Sequence, residues 1–210
     1  MQVNVGRPTT VEWHGRAVTS SIAKKPVSGP VLVDGVNLSG DEQSDQRVHG
    51  GRYKAVYAYS AEDYRWWSDE LGETVPWARF GENLTVEGID LQHQVIGTPW
   101  RVGSATLAVS TARFPCFKLG MAMGDAAFVA RFDAARRNGT YLEISTGGTV
   151  TAGDTIEVGR PPGHGVTIDM MVRANAGERE MIERLLDVEE LDPEWKDWAR
   201  RMLARKGETT

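Results

Sequence analysis

Apolar and polar positions along most of this chain follow each other with the two-residue period of strands, broken by glycine, and only the last quarter changes to helical spacing. Thr10-Val-Glu-Trp-His-Gly-Arg-Ala-Val18 alternates on both sides of a His-Gly pair, which predicts a hairpin. Val31-Leu-Val33 and Val36-Asn-Leu38 predict further strands around Asp34-Gly35, and Lys54-Ala-Val-Tyr-Ala-Tyr59 predicts a buried strand feeding a helix. In that helix Ser60 is the expected cap, with Asp63 three residues on; Tyr64, Trp67 and Leu71 share one face, Trp66 lies off it, and Gly72 ends it. Trp100-Arg-Val102 and Ala105-Thr-Leu-Ala-Val-Ser110 flank Gly103-Ser104, a second hairpin. Asp125 to Arg137 reads as helical, closed by Asn138-Gly139, and strands return at Tyr141–Ile144 and Asp154–Val158 around Gly147-Gly148.

Many short strands with glycine-rich turns and two interrupting helices predict a mainly β, α+β chain built on a barrel-like core, with helices at its periphery. The expected boundary is Arg160-Pro-Pro-Gly-His-Gly165, dividing a β-barrel domain at 1–160 from a small C-terminal helical domain at 161–210. Within the latter, Glu178–Leu186 and Pro193–Arg205 are expected helices. Asp192 caps the second of these, and Trp195, Trp198, Ala199, Met202 and Leu203 form a stripe suited to docking.

Composition narrows the function. A chain of 210 residues, 40% apolar and 25% charged, is ordinary for a globular enzyme, and a net charge of −5 argues against a broad nucleic-acid footprint. The N-terminus lacks the basic and apolar regions of a leader and no apolar run suits a bilayer, so the expected setting is the cytoplasm, without membrane contact.

Chemistry concentrates at Cys116, the only cysteine. It lies in Thr111-Ala-Arg-Phe-Pro-Cys-Phe-Lys-Leu119, between an arginine and a lysine whose charges favour an anionic sulfur. A small buried hydrophobe is the competing reading for any lone cysteine. A Cys/His hydrolase needs a base, and only His14, His49, His93 and His164 exist to supply one. A structural zinc site lacks the closely spaced Cys and His that it usually recruits.

Three further segments precede the cysteine motif Arg113-Phe-Pro-Cys116: Gly40-Asp-Glu-Gln-Ser-Asp-Gln-Arg-Val-His-Gly-Gly51, Lys54-Ala-Val56 and Phe80-Gly-Glu-Asn-Leu84. In this order they closely resemble the MOSC family, related to the C-terminal part of molybdenum cofactor sulfurase, and the likeness runs from about Val3 to Gly159. From Val166 onward the chain resembles the three-helix domain carried by a bacterial branch whose members reduce N-hydroxylated bases. The resemblance implies a molybdenum cofactor (molybdopterin) held with Cys116 as metal ligand and catalytic residue, with Lys24, Lys54 and Arg113 binding its anionic group and Asp41, His49 and Asn83 completing the pocket. A solvated surface charge is the alternative for each of Lys24, Lys54 and Arg113; Asp41 capping a turn and Asn83 satisfying buried backbone are theirs. Tyr53, Thr98 and Ala112 depart from residues frequent in the family, the first at the expected rim of the pocket. The implied activity is reduction of N-hydroxylated bases and related N–OH compounds. Because no flavin or Fe–S motif is visible, electrons are expected from a separate reductase. A non-catalytic cofactor carrier, or a sulfur carrier working through a Cys116 persulfide, needs the same residues.

Overall fold

The computed structural model describes residues 1–44 and 50–205, so His49 lies outside the described residues. Among these, the chain opens with β1 (Gln2–Val5), the hairpin β2 (Thr9–Trp13) and β3 (Arg16–Ser20), β4 (Lys25–Pro26), β5 (Val31–Asp34) and β6 (Asn37–Leu38). A single 3-10 turn, Arg52–Lys54, leads into β7 (Val56–Ser60), helix α1 (Ala61–Leu71) and β8 (Leu84–Val86). β9 (Pro99–Val102) and β10 (Ala105–Ala112) follow, then α2 (Phe117–Met123), α3 (Phe128–Ala135), β11 (Thr140–Thr146), β12 (Gly148–Val150) and β13 (Ile156–Val158). The C-terminal part holds α4 (Ile168–Asn175), α5 (Arg179–Leu185) and α6 (Pro193–Arg205). No helix among the described residues is long and apolar enough to cross a membrane.

Eight strands form one curled sheet in the order β13-β9-β10-β11-β7-β8-β1-β4, a half-barrel, while β12-β5-β6 and β2-β3 make two small sheets beside it. All neighbours in the large sheet are antiparallel except β7 and β8, which run parallel with Ala58 opposite Leu84. The mixed α+β, barrel-like architecture matches the sequence-based expectation.

β7 shows how the two-residue period positions everything else. All five of its residues are buried, so it is covered on both faces, and its side chains alternate between two cores. Val56 and Ala58 join a large aliphatic cluster, while Tyr57 and Tyr59 join an aromatic one with Tyr64, Trp67, Phe80, Phe128 and Phe132. Helix α1 packs on the aromatic face because Tyr64 and Trp67 fall on its inner side. Ser60 caps it, accepting from Asp63 N at 3.1 Å, and Gly72 ends it in the left-handed conformation. The His14-Gly15 turn of the first hairpin has positive φ at both residues, 50° and 73°, as a tight two-residue connection requires.

Two expected elements differ. The helix expected over Asp125–Arg137 covers only Phe128–Ala135, because Arg136 adopts a left-handed φ of 54° and stops it before Asn138. The cysteine segment, expected as a loop, runs directly into α2, with Cys116 itself at the cap position.

The expected domain boundary falls where the chain leaves the sheet, but the packing is continuous across it. Val166, Ile168, Met171, Ile182, Leu185 and Leu191 belong to the same buried cluster as Trp100, Val102, Leu107 and Val109 of the sheet. Backbone hydrogen bonds cross as well: Ile96 N to Val166 O at 3.0 Å, Ile168 N to Gln94 O at 3.0 Å and Asp169 N to Gln92 O at 2.8 Å.

Candidate functional site

A solvent-open cleft lies at the end of the aromatic core, with roughly 610 Å³ of empty space counted to its mouth. Its walls come from five separate stretches: Ser20 to Lys24, Asp41 to Ser44, Lys54 with Tyr57, Phe80 to Asn83, and the segment from Arg113 to Lys118, with Tyr141 at the back. Six of the seven residues singled out from sequence, Lys24, Asp41, Lys54, Asn83, Arg113 and Cys116, line this one cleft. His49, the seventh, lies outside the described residues.

Cys116 is half-buried, with extended backbone (φ −131°, ψ 173°) as the cap of α2, and its carbonyl accepts from Leu119 N at 2.9 Å. It is a wall residue of the cleft rather than a core thiol.

Arg113 follows the last residue of β10 and is only 5% exposed. Its guanidinium lies 5.6 Å from the ring centres of both Tyr57 and Phe132, a stacked placement that suits a weakly hydrated planar cation. Burial opposes its charge, but Tyr57, Tyr141 and Cys116 facing it hold the guanidinium more firmly protonated than usual. The same proximity works in reverse on the phenols: burial pushes Tyr57 well up and Tyr141 up, and Arg113 opposes both. The loop is anchored where Asn138 Nδ2 donates to Arg113 O at 3.0 Å. Nη1 of Arg113 is nevertheless buried with no hydrogen-bond partner among the described residues, and so is Oγ of Ser21 on another wall. Buried donors without partners are rare in native proteins and call for a ligand or water.

Lys24, Asp41 and Asn83 form a closed network instead. Lys24 Nζ donates to Asp41 Oδ1, which also accepts from Gly6 N at 2.7 Å, and Asn83 Nδ2 donates to Asp41 Oδ2 at 2.9 Å. Asn83 spends its other groups on backbone, with Oδ1 accepting from Tyr57 N at 3.1 Å and Nδ2 reaching Asn4 O at 3.3 Å. Burial lowers the pKa of Lys24 against the pull of Asp41. The structural reading of Asn83 is therefore realised, whereas Asp41 bonds across the fold to Gly6, Lys24 and Asn83 rather than capping a turn, and Lys24 is neither solvated nor a lone cation: it is one half of a buried ion pair forming the cleft wall.

The motif Phe80-Gly-Glu-Asn83 works as a bracket. Phe80 fills the aromatic core, and Gly81 (φ +84°) lies so near Ile22 that a Cβ there would come within 2.8 Å of the Ile22 side chain. Glu82 is fully buried and accepts from Ala78 N at 2.7 Å, Tyr64 Oη at 2.8 Å and Thr85 Oγ1 at 2.8 Å. Burial raises its pKa despite these bonds.

Sequence reasoning missed Tyr57, Tyr141, Ser21 and Lys118 as cleft residues. Lys118, whose Nζ donates to Ser44 Oγ at 3.3 Å, was visible as the cation two positions after the thiol, and Tyr57 as an outward position of the buried strand. No described histidine lines the cleft, and no group of three or more His, Cys, Asp or Glu among the described residues is placed to hold a metal. Outside the Lys24–Asp41 pair the cleft thus offers one sulfur, three cations against the single carboxylate of Glu42, and two orphaned donors, one of them on Arg113, a set matched to an anionic ligand that brings its own metal coordination.

The model of the MOSC domain matches residues 45–157. This chain belongs to the MOSC domain family. The Bacillus subtilis protein YflK is 33% identical over 199 residues, covering 93% of this chain and 90% of YflK. A Gibberella moniliformis protein named a reductase is 30% identical over 162 residues, 75% of this chain but only 28% of that longer protein. Among solved structures, YiiM from Geobacillus stearothermophilus superposes with a TM-score of 0.79 at 24% identity, covering 96% of this chain and 97% of YiiM, and supports the same fold. The chain is a MOSC-domain protein, in a family associated with molybdenum cofactor binding.

Proposed function

We propose that this MOSC protein is a molybdenum cofactor-dependent oxidoreductase, acting in the cytoplasm, that reduces N-hydroxylated bases and related N–OH compounds. The observation that carries the reading is the meeting of a half-buried thiol with an orphaned, buried guanidinium nitrogen in one cleft. The family association and the reductase-named relative support it.

When bound, the cofactor supplies two-electron chemistry at a metal already held by the two sulfurs of its dithiolene. The chain contributes the rest. Cys116 Sγ would be the soft protein donor, and Arg113 and Ser21, which line the cleft and each carry a buried donor without a partner among the described residues, would hold the anionic group of the pterin. Lys54 and Lys118 add positive charge along the walls. Tyr141 lines the same cleft, and burial raises its pKa against the pull of Arg113, so its phenol stays protonated and adds no negative charge beside the thiol. Electrons arrive from a separate reductase.

The test is molybdenum and pterin analysis of protein purified from cells that make the cofactor, together with turnover of hydroxylaminopurine using an artificial reductant. Loaded, active protein is expected. Protein free of molybdenum refutes the reading, and loaded protein that reduces no N–OH compound identifies a cofactor carrier instead.

A further inference from the structure

Lys54 lines a second open cleft, so the two clefts meet at this residue. The other wall of the second cleft is one face of α6: Glu194, Trp195, Asp197, Trp198 and Arg201. The two indoles meet edge to face at 5.0 Å and 66°, and Trp195 lies tilted over Phe114 at 5.1 Å. Phe114 is two residues before Cys116, so α6 is braced against the loop that carries the thiol. Packing on Phe114 accounts for Trp195. Trp198 packs in part against the large buried cluster, and the rest of its indole stands on the wall of a cleft that also carries charges of both signs. Of these, Asp197 is paired with Arg200 at 2.8 Å, whereas Arg201 makes no ion pair among the described residues.

We propose that this face of α6 is the ring-binding subsite for the substrate, taking a planar nitrogen-rich heterocycle of the nucleobase class. The ring stacks on Trp198; Arg201 and Lys54 donate to ring nitrogens, and the Glu194 carboxylate accepts from ring or exocyclic N–H groups. The N–OH substituent then points past Lys54 into the cleft of Cys116. Three features favour a flat small molecule as occupant: a tryptophan face, donors and an acceptor on one short wall, and a residue, Lys54, shared with the thiol cleft. Because stacking needs only a π-face, the subsite accepts purine and pyrimidine rings alike. This inference rests on the proposed reductase reading and adds to it what holds the substrate.

The experiment compares the parent, Trp198→Ala, Trp198→Phe and Arg201→Ala as full-length, cofactor-loaded proteins, with hydroxylaminopurine and the ringless N–OH compound acetohydroxamic acid as substrates. Trp198→Ala is expected to raise KM for hydroxylaminopurine about tenfold, the scale of one lost base–aromatic stack, with kcat held. Trp198→Phe recovers most of that loss, Arg201→Ala raises the same KM, and kinetics on acetohydroxamic acid stay unchanged throughout. An unchanged KM for hydroxylaminopurine in both alanine variants overturns the subsite while leaving the reductase reading intact. If the parent reduces neither compound, the reductase reading fails and calorimetric titration with adenine decides the subsite on its own. Binding that Trp198→Ala abolishes and Trp198→Phe restores upholds it; no binding, or equal binding in all four proteins, refutes it.

Discussion

Asp41 divides its carboxylate between two partners: Oδ1 receives the Lys24 ammonium and Oδ2 the Asn83 amide at 2.9 Å. With Gly6 N also on Oδ1, it ties β1, β4 and the residues just before β8 at the cleft wall. The Lys24 side chain is 8% exposed and that of Asp41 1%, so neither charge has water to fall back on. Asp41→Ala is expected to destabilise the protein by about 3 kcal/mol, the usual cost of stranding one member of a buried pair. The double variant Lys24→Met/Asp41→Ala regains much of that loss. Urea unfolding of the single and double variants checks both outcomes.

At Cys116 the backbone is already that of a helix cap, a position serine favours. Cys116→Ser should therefore leave the melting temperature within a degree or two, while abolishing reduction of N–OH compounds. Calorimetry beside an activity assay separates the roles. A variant that is fully active removes the thiol from the chemistry, and one that unfolds returns it to packing.

Ser21 offers a probe of anion binding that leaves packing almost untouched, since its hydroxyl has no hydrogen-bond partner among the described residues. Ser21→Ala should keep its stability yet lower the pterin content of the purified protein. Arg113→Met, which keeps the apolar bulk between Tyr57 and Phe132, should lower it further: a charge-assisted contact contributes roughly 1.5 to 3 kcal/mol. Equal occupancy in all three proteins would place the anion elsewhere.

Glu82 sets a pH dependence of stability. Its folded pKa lies above the ordinary carboxylate value because burial outweighs the hydrogen bonds from Thr85, Tyr64 and Ala78. The folded state therefore holds this proton more tightly than the unfolded chain does. The associated stability is full below the ordinary carboxylate value of 4.5 and is lost as pH rises through the raised value. Thermal unfolding of the parent and Glu82→Gln across that window should show a shallower decline in the variant.

Truncation after Pro161 removes Val166, Ile168, Met171, Ile182 and Leu185 from the cluster that covers Trp100 and Leu107. The truncated chain is expected to be insoluble or to melt far below the parent. A soluble fragment with the parent's circular dichroism would show that the sheet stands without its helices.

The strands were legible because a half-covered sheet writes a two-residue period into its sequence, as in Val31–Asp34, whose residues alternate buried and exposed. The cysteine segment was less so. Phe117-Lys-Leu-Gly-Met-Ala-Met123 carries Gly120, which reads as a breaker, yet the glycine is there for space: a Cβ would sit 2.9 Å from Asp125 O. The cleft residues were legible by type, but not their bonding. Lys24 and Asp41 are 17 positions apart, and only the fold decides that they neutralise each other rather than a ligand. Tyr141 escaped notice because, along β11, it is one more apolar-looking strand residue; its meaning comes from Arg113 across the sheet.

The parallel pairing of β7 with β8 puts the partner of the first strand far downstream: Gln2 faces Thr85, and Asn4 N bonds Asn83 O at 2.7 Å. During synthesis the N-terminal strand must wait, with that edge unpaired, until residues 84–86 have left the ribosome. At roughly 5–20 residues per second that delay lasts several seconds, an interval in which an unpaired edge is open to stray association.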